Sequence, residues 1–162
     1  MTPLVTVRLT RISPTHHRFD YVRPDGTGEA IEMETRSALF HDLLHFAVES
    51  EAGLRGSFYG LLAKVGGYEE LIVAGGEALG GEAAITERIV GALTGALKGG
   101  QIDPEAFQTR MAEYLELYDE KAPRWLTPAF VLAVKERMRQ LEGRWKATPF
   151  GQTMELAFPP SP

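Results

Sequence analysis

Cysteine is absent from this chain of 162 residues. Its absence excludes a disulfide framework, a thiolate metal site, an iron–sulfur cluster and a cysteine nucleophile. Any metal site must therefore be built from nitrogen and oxygen ligands. The chain offers 4 histidines as nitrogen donors and 22 aspartate and glutamate side chains as oxygen donors.

Long hydrophobic runs are also missing. The longest, from Ala129 to Val134, is far shorter than the roughly 18 apolar residues that a transmembrane helix needs. The segment from Met1 to Arg8 alternates apolar and polar residues, unlike the continuous apolar region of a secretory signal. These two absences predict a cytoplasmic protein with no membrane span.

Positive charge is in the minority, with 17 Lys and Arg against 22 Asp and Glu and a formal net charge of −5. A general nucleic-acid binder needs basic patches to neutralise phosphates, so we expect no nucleic-acid partner. A small-molecule ligand and a homo-oligomer both stay open as partners. The length is typical of a single domain, which we expect to span residues 1–162.

Alternation of apolar and polar residues predicts three strands between residues 4 and 35. The segment from Pro24 to Gly28 is a strong turn signal, because proline fixes φ and glycine accepts positive φ. These features indicate an antiparallel β-meander at the N-terminus. The same alternation returns at residues 152–158, and we expect this C-terminal strand to join the meander.

Between residues 37 and 142 the apolar residues recur with the period of a helix. About five helices are predicted, and their expected limits are 37 to Ser50, Phe58 to Ala63, Glu82 to Lys98, Asp103 to Pro123, and Thr127 to Gly143. Strands and helices are segregated along the chain, so the predicted fold class is α+β, with the meander packed against the helices.

Glycine is concentrated in two places. The segment from Ala74 to Gly81 is either a mobile lid over a site or, as we prefer, a linker that lets two helices turn past each other. Gly91 and Gly95 lie four residues apart in the third predicted helix, a spacing that favours close approach of a neighbouring element.

The side chains best suited to bind a metal or to transfer a proton lie in the first predicted helix. They are His41, Asp42, His45 and Glu49. At about 100° per residue these four side chains share one polar arc, opposite the apolar face of the helix. Residues four apart on a helix have Cβ atoms about 5–6 Å apart, so two imidazoles can meet on one metal. The pattern therefore predicts a divalent metal site for Zn, Fe, Mn or Ni.

In this hypothesis His41 and His45 are ligands, and Glu49 is the first candidate for the third ligand. Asp42 is either a catalytic base or a group that orients a histidine. Further candidate ligands that only folding could bring close are Glu51, Glu69, Glu70, His16 and His17, and we expect the last two to be exposed. In the alternative interpretation the polar arc is a solvated helix face, or the histidines bond the carboxylates with no metal present.

The segment from Arg36 to Glu49, followed by Gly53-Leu54 and by residues 58–63, resembles a family of bacterial proteins of uncharacterised function. Its HDxxH core is also similar to the motif of the Coq4 family of ubiquinone-biosynthesis proteins. That resemblance implies that His41, Asp42 and His45 bind a metal. In the Coq4 family a glutamate twelve residues after the second histidine completes the site, whereas this chain has Ser57 there.

Three functions follow as hypotheses. The first is a binding or structural module, which the apolar helix faces and the lack of a complete catalytic set favour. The second is a metal-dependent enzyme of the hydrolytic kind, built on the helix that carries His41 and His45. The third, which rests only on the Coq4 resemblance, is a lipid-binding or quinone-binding protein.

Overall fold

A computed structural model describes residues 2–64, 67–71 and 80–161. Its strands are β1 (Val5–Arg11), β2 (His16–Val22), β3 (Gly28–Glu34) and β4 (Thr153–Phe158). Its helices are α1 (Thr35–Ala52), α2 (Phe58–Leu62), α3 (Gly81–Lys98), α4 (Pro104–Glu116) and α5 (Pro128–Ala147). Residues 68–71 are also helical. The predicted α+β class is confirmed.

The four strands form one antiparallel sheet in the order β3-β2-β1-β4. β4 pairs along β1, with Val5 opposite Phe158 and Leu9 opposite Met154, so the C-terminal strand joins the meander as predicted. Alternate side chains of the strands are buried, because a period of two places them all on one face of the sheet. The helices cover that face and form the hydrophobic core with it.

Helix α1 lies at the centre of the helical layer. It packs against β3, α2, α3 and α5. Because neighbours surround it, it is buried at Leu39 and at every position from Asp42 to Glu49, including the polar ones. The central position of α1 therefore buries the segment from Asp42 to Glu49 and leaves His41 at its edge.

Two helix ends differ from their predicted positions. α4 ends at Glu116 and not near Pro123, because its buried stripe finishes at Leu115 and Asp119 then takes a left-handed φ of 55°. α5 continues through Gly143 to Ala147, because Trp145 extends the buried stripe by one more turn. Tertiary packing thus overrides the local stop signal.

The glycine predictions have separate outcomes. The expected close approach at Gly91 and Gly95 is wrong, because no described heavy atom beyond the helix itself lies within 4 Å of a Cβ built at either position. Of the segment from Ala74 to Gly81, residues 74–79 lie outside the described residues. Gly80 and Gly81 precede and open α3 with positive φ values of 72° and 55°.

Within the described parts of the chain, no helix combines the length and apolar character needed to cross a membrane.

Candidate metal centre

Two histidines of α1 and one glutamate of α3 come together between these helices. His41 and His45 lie one turn apart, with ring centroids separated by 4.6 Å. Glu87 faces both rings, with Oε1 at 3.1 Å from His41 Nε2 and Oε2 at 3.0 Å from His45 Nε2. One ligand atom from each of the three residues lies within 4.8 Å of the others. This arrangement could hold a metal ion, and we call it the His–His–Glu cluster.

The polar arc of α1 is mostly buried. Asp42, His45 and Glu49 are only 2%, 3% and 0% exposed, because α2 and α3 cover them. The interpretation of this arc as a solvated helix face is therefore wrong for these three side chains. His41 and Glu87 keep side-chain exposures of 39% and 32%, so the cluster opens to solvent on their side.

Glu49 lies behind His45, on the far side of the ring from Glu87. Its Oε2 is 3.0 Å from His45 Nδ1, and its Oε1 accepts a hydrogen bond of 2.8 Å from the backbone N–H of Tyr59. Both carboxylate oxygens are thus occupied. Glu49 is positioned to orient the imidazole of His45, whereas Glu87 is the carboxylate that the structure brings to the two Nε2 atoms.

Asp42 occupies a similar position behind His41. Its Oδ1 lies 3.8 Å from His41 Nδ1, and both carboxylate oxygens accept from the Tyr68 hydroxyl at 3.1 Å. The Tyr59 hydroxyl donates to the Asp42 backbone carbonyl at 2.7 Å. Each histidine of the cluster therefore has a buried carboxylate at its Nδ1 side, an arrangement that fixes ring orientation in metal sites.

The charges of the cluster shift the ionisation of its members. Burial alone would lower the pKa of His45, but Glu49 and Glu87 outweigh it and raise the pKa to about 9. Hydrogen bonds to Asp42 and Glu87 raise the pKa of His41. Burial raises the pKa of Glu49, whereas the two histidines overcome burial and hold the pKa of Glu87 well below its usual range. The carboxylates around the two histidines thus favour the protonated, positively charged imidazoles.

One nitrogen of the cluster lacks a hydrogen bond among the described residues. His45 Nε2 is buried and forms an ion pair with Glu87, whose Oε2 lies at 3.0 Å, but it makes no hydrogen bond within the described structure. With a pKa of about 9, His45 is protonated at neutral pH in the metal-free protein, and loss of the Nε2 proton gives this nitrogen a lone pair directed into the cluster. A buried nitrogen of this kind needs a partner, and a metal ion would supply one.

The other candidate ligands that the sequence offered lie away from this cluster. Glu51 pairs with Arg137 on α5, and Glu69 and Glu70 are exposed. His16 is exposed as predicted. His17 is 0% exposed, so its predicted exposure is wrong: it lies on the core face of β2, and its Nδ1 contacts Thr35 Oγ1 at 3.0 Å.

Ser57, which stands where the Coq4 pattern has a glutamate, is also buried. Its hydroxyl lies 2.9 Å from Thr86 Oγ1 and 3.1 Å from Glu82 Oε1, both on α3. Sequence reasoning did not identify Glu87, which follows Thr86 directly. Only the packing of α3 on α1 places Glu87 beside the two histidines. Its position in the sequence does not distinguish it from the other acidic residues of the chain.

Comparison of the chain with models of protein families, with curated proteins and with solved structures gives no match.

Proposed function

We propose that this protein binds one divalent transition-metal ion, such as Zn, Fe, Mn or Ni, through His41, His45 and Glu87. The observation that carries the proposal is the buried His45 Nε2, which has no hydrogen bond in the described structure although Glu49 holds the opposite ring nitrogen. This revises the ligand set expected from the helix alone, with Glu87 in place of Glu49.

The spacing of the donor atoms supports this ligand set. In a tetrahedral shell with metal–ligand bonds of about 2.0–2.1 Å, ligand atoms lie about 3.3 Å apart. The distances of 3.1 and 3.0 Å join different oxygens of Glu87 to the two imidazole nitrogens, and one ligand atom from each residue lies within 4.8 Å of the others, so the donor atoms must draw together to bind an ion. A small rotation of the side chains would admit a cation.

Charge balance supports it as well. Asp42, Glu49 and Glu87 place carboxylates around two imidazoles, and two of these acids are almost wholly buried. Buried carboxylates need a compensating positive charge. Protons on the histidines supply it below their raised pKa values, which for His45 is about 9, and a divalent cation supplies it when the rings are neutral.

A metal-dependent enzyme of the hydrolytic kind is the second candidate, favoured by the exposure of His41 and Glu87. Three protein ligands leave at least one position of a metal for another molecule, as catalytic zinc sites do. A cation held there acts as a Lewis acid towards a carbonyl or phosphoryl oxygen. Asp42 is buried behind His41, so we assign it a positioning role in place of a base.

Metal binding is tested on protein purified without a histidine tag, treated with EDTA and titrated with Zn²⁺, Mn²⁺, Fe²⁺ or Ni²⁺. We expect one ion per chain by elemental analysis and calorimetry, and a higher unfolding temperature, because a ligand bound only to the folded state stabilises it. The Glu87→Gln and His45→Ala variants should lose this binding. Glu49→Gln should keep one ion with about 10–100-fold lower affinity.

Glu51→Gln is the matched control, because Glu51 lies on the same helix but pairs with Arg137. It should bind metal as the wild type does. The proposal is wrong if no tested ion binds with 1:1 stoichiometry, or if Glu87→Gln and Glu51→Gln bind equally well. If Glu49→Gln abolishes binding while Glu87→Gln preserves it, Glu49 is the ligand and our assignment is reversed.

A further inference from the structure

An open groove runs between α3 and α4, beginning at the His–His–Glu cluster. Its volume is about 630 Å³, and Glu87 is one of its lining residues. Ala92, Phe107 and Met111 give it apolar walls. The groove is large enough for a small organic molecule, because ligand pockets have volumes of about 300–1,000 Å³. A molecule lying in it would have one end beside a cluster residue.

The groove also carries positive charge. Arg88 and Arg110 line it, and the guanidinium of Arg88 pairs with Glu120 outside the groove. Arg110 is exposed and has no ion pair with any residue that the structure describes. The remaining charged lining residue, Glu87, faces the histidines. The uncompensated charge of the groove is therefore the guanidinium of Arg110, which favours an anion such as a carboxylate.

Gly91 keeps the groove open. It lines the groove one turn after Glu87, and a Cβ built on it meets no described atom within 4 Å. A larger side chain there would extend into the groove without disturbing the helix. Gly95 is equally open and lies one turn further along, but it is not part of the lining. The two glycines therefore allow the same substitution inside and outside the groove.

We propose that this groove binds a small organic anion, with an apolar body against the α4 wall and a carboxylate paired with Arg110. The apolar walls, the uncompensated guanidinium and the shared residue Glu87 together carry this inference. It rests on the proposed function in one respect, since the bound molecule becomes a candidate substrate only if His41, His45 and Glu87 hold a metal. The class of substrate is then an apolar carboxylic acid that carries its reacting group towards Glu87.

The test compares phenylbutyrate with its neutral analogue phenylbutanol by calorimetry, with the metal-free protein and the metal-loaded protein measured separately. We expect the acid to bind about threefold more tightly than the alcohol, because only the acid forms an ionic hydrogen bond to the guanidinium and that pair is exposed to solvent. Arg110→Ala should reduce the acid to the affinity of the alcohol. Gly91→Leu should weaken both ligands more than tenfold, whereas Gly95→Leu should leave both within twofold of wild type.

The proposal is overturned if the acid and the alcohol bind equally, if neither binds at millimolar concentration, or if Gly91→Leu binds both as the wild type does. Thermal unfolding of both leucine variants verifies that they fold. Sedimentation measures the oligomeric state and gives one more result that would overturn the proposal. If the wild type is a dimer and only Gly91→Leu dissociates it, the groove is an interface between copies of the chain. Metal analysis is independent of these titrations: a protein that binds the anion but takes up no metal overturns only the metal proposal, and one that binds metal but not the anion overturns only this one.

Discussion

At the scale of single residues, burial determines what the polar side chains of α1 can do. Asp42, His45 and Glu49 lie on a polar arc of α1, yet the neighbouring helices enclose them. The enclosure accounts for the carboxylate at the Nδ1 side of each histidine of the cluster. The contact of His45 with Glu49 follows from their spacing on α1, whereas the contacts with Glu87 and Tyr68 come from packing of other segments.

His17 provides a residue-scale prediction that does not involve the cluster. It is fully buried, its Nδ1 contacts Thr35, and its Nε2 has no hydrogen bond within the described residues. Burial lowers the pKa of His17, and the neighbouring charge of Asp42 opposes this while His16 adds to it. The folded state therefore favours neutral imidazole more strongly than the unfolded state does.

The sign of the pH dependence follows from linkage. Above the unfolded pKa of about 6.5 the ring is neutral in both states, and its neutral packing contributes fully. As the pH falls below that value, the unfolded chain binds the proton first, so His17 lowers the free energy of unfolding until its folded pKa is reached. The slope is at most about 1.4 kcal/mol per pH unit.

Urea denaturation of wild type and His17→Gln between pH 7 and pH 5 measures this effect. We expect the wild type to lose more stability than the variant as the pH falls, because glutamine does not titrate. His16→Gln, at the exposed neighbouring position, serves as control and should follow the wild type. Parallel curves for wild type and His17→Gln would contradict the assignment.

At the scale of elements, local chain signals determine where helices begin more reliably than where they end. Asp103 caps α4 by accepting from the backbone N–H groups of Glu105 and Ala106, as its position before a proline predicted. Thr127 caps α5 in the same way. The ends depend on how far the buried stripe continues, and that is a property of the core.

The glycines of α3 give an element-scale prediction. Because Gly91 and Gly95 lie inside a helix and have open space at Cβ, Gly91→Ala and Gly95→Ala should each raise the free energy of unfolding by about 0.5–1 kcal/mol. Gly60→Ala is the contrasting variant, since a Cβ there would collide with the Arg55 backbone carbonyl. It should lower the free energy of unfolding.

Chemical denaturation of the three alanine variants and the wild type decides the matter. Destabilisation by either α3 substitution would mean that a neighbour covers that face of the helix in solution. A stable Gly60→Ala variant would mean that the chain around Arg55 adjusts without cost.

At the scale of the whole molecule, the four strands and the fold class were predictable from the sequence, because the alternation of apolar and polar residues is a local pattern that identifies strands with one buried face. The His–His–Glu cluster was only partly predictable from the sequence. His41 and His45 belong to one helix and have a fixed spacing, whereas Glu87 comes from another helix. The position of α3 against α1 depends on packing, which periodicity does not encode. The lipid or quinone hypothesis stays a prediction.

The place of β4 in the sheet gives a prediction at this scale. β4 pairs with β1 and buries Met154, Leu156 and Phe158. Burying each such side chain contributes about 1.5–3 kcal/mol, and the sum is comparable with a total stability of about 5–15 kcal/mol. We therefore expect a chain truncated before Thr153 to lose its cooperative unfolding transition.

Circular dichroism during heating measures this loss. A chain that ends at Pro160 keeps the whole of β4 and serves as the control, with an unfolding transition like that of the full chain. A cooperative transition at the wild-type temperature in the shorter chain would show that β1 does not depend on β4.

The origin of the cluster from two helices gives a bound cation a topological effect. His41 and Glu87 are 46 positions apart in the chain, so an ion bound by both joins distant points and closes a long loop. Loop closure restricts the unfolded chain, and the corresponding entropy becomes part of the binding free energy. The affinity for the ion would then depend on how stably α3 packs against α1. The two histidines alone, without Glu87, would bind the ion only weakly.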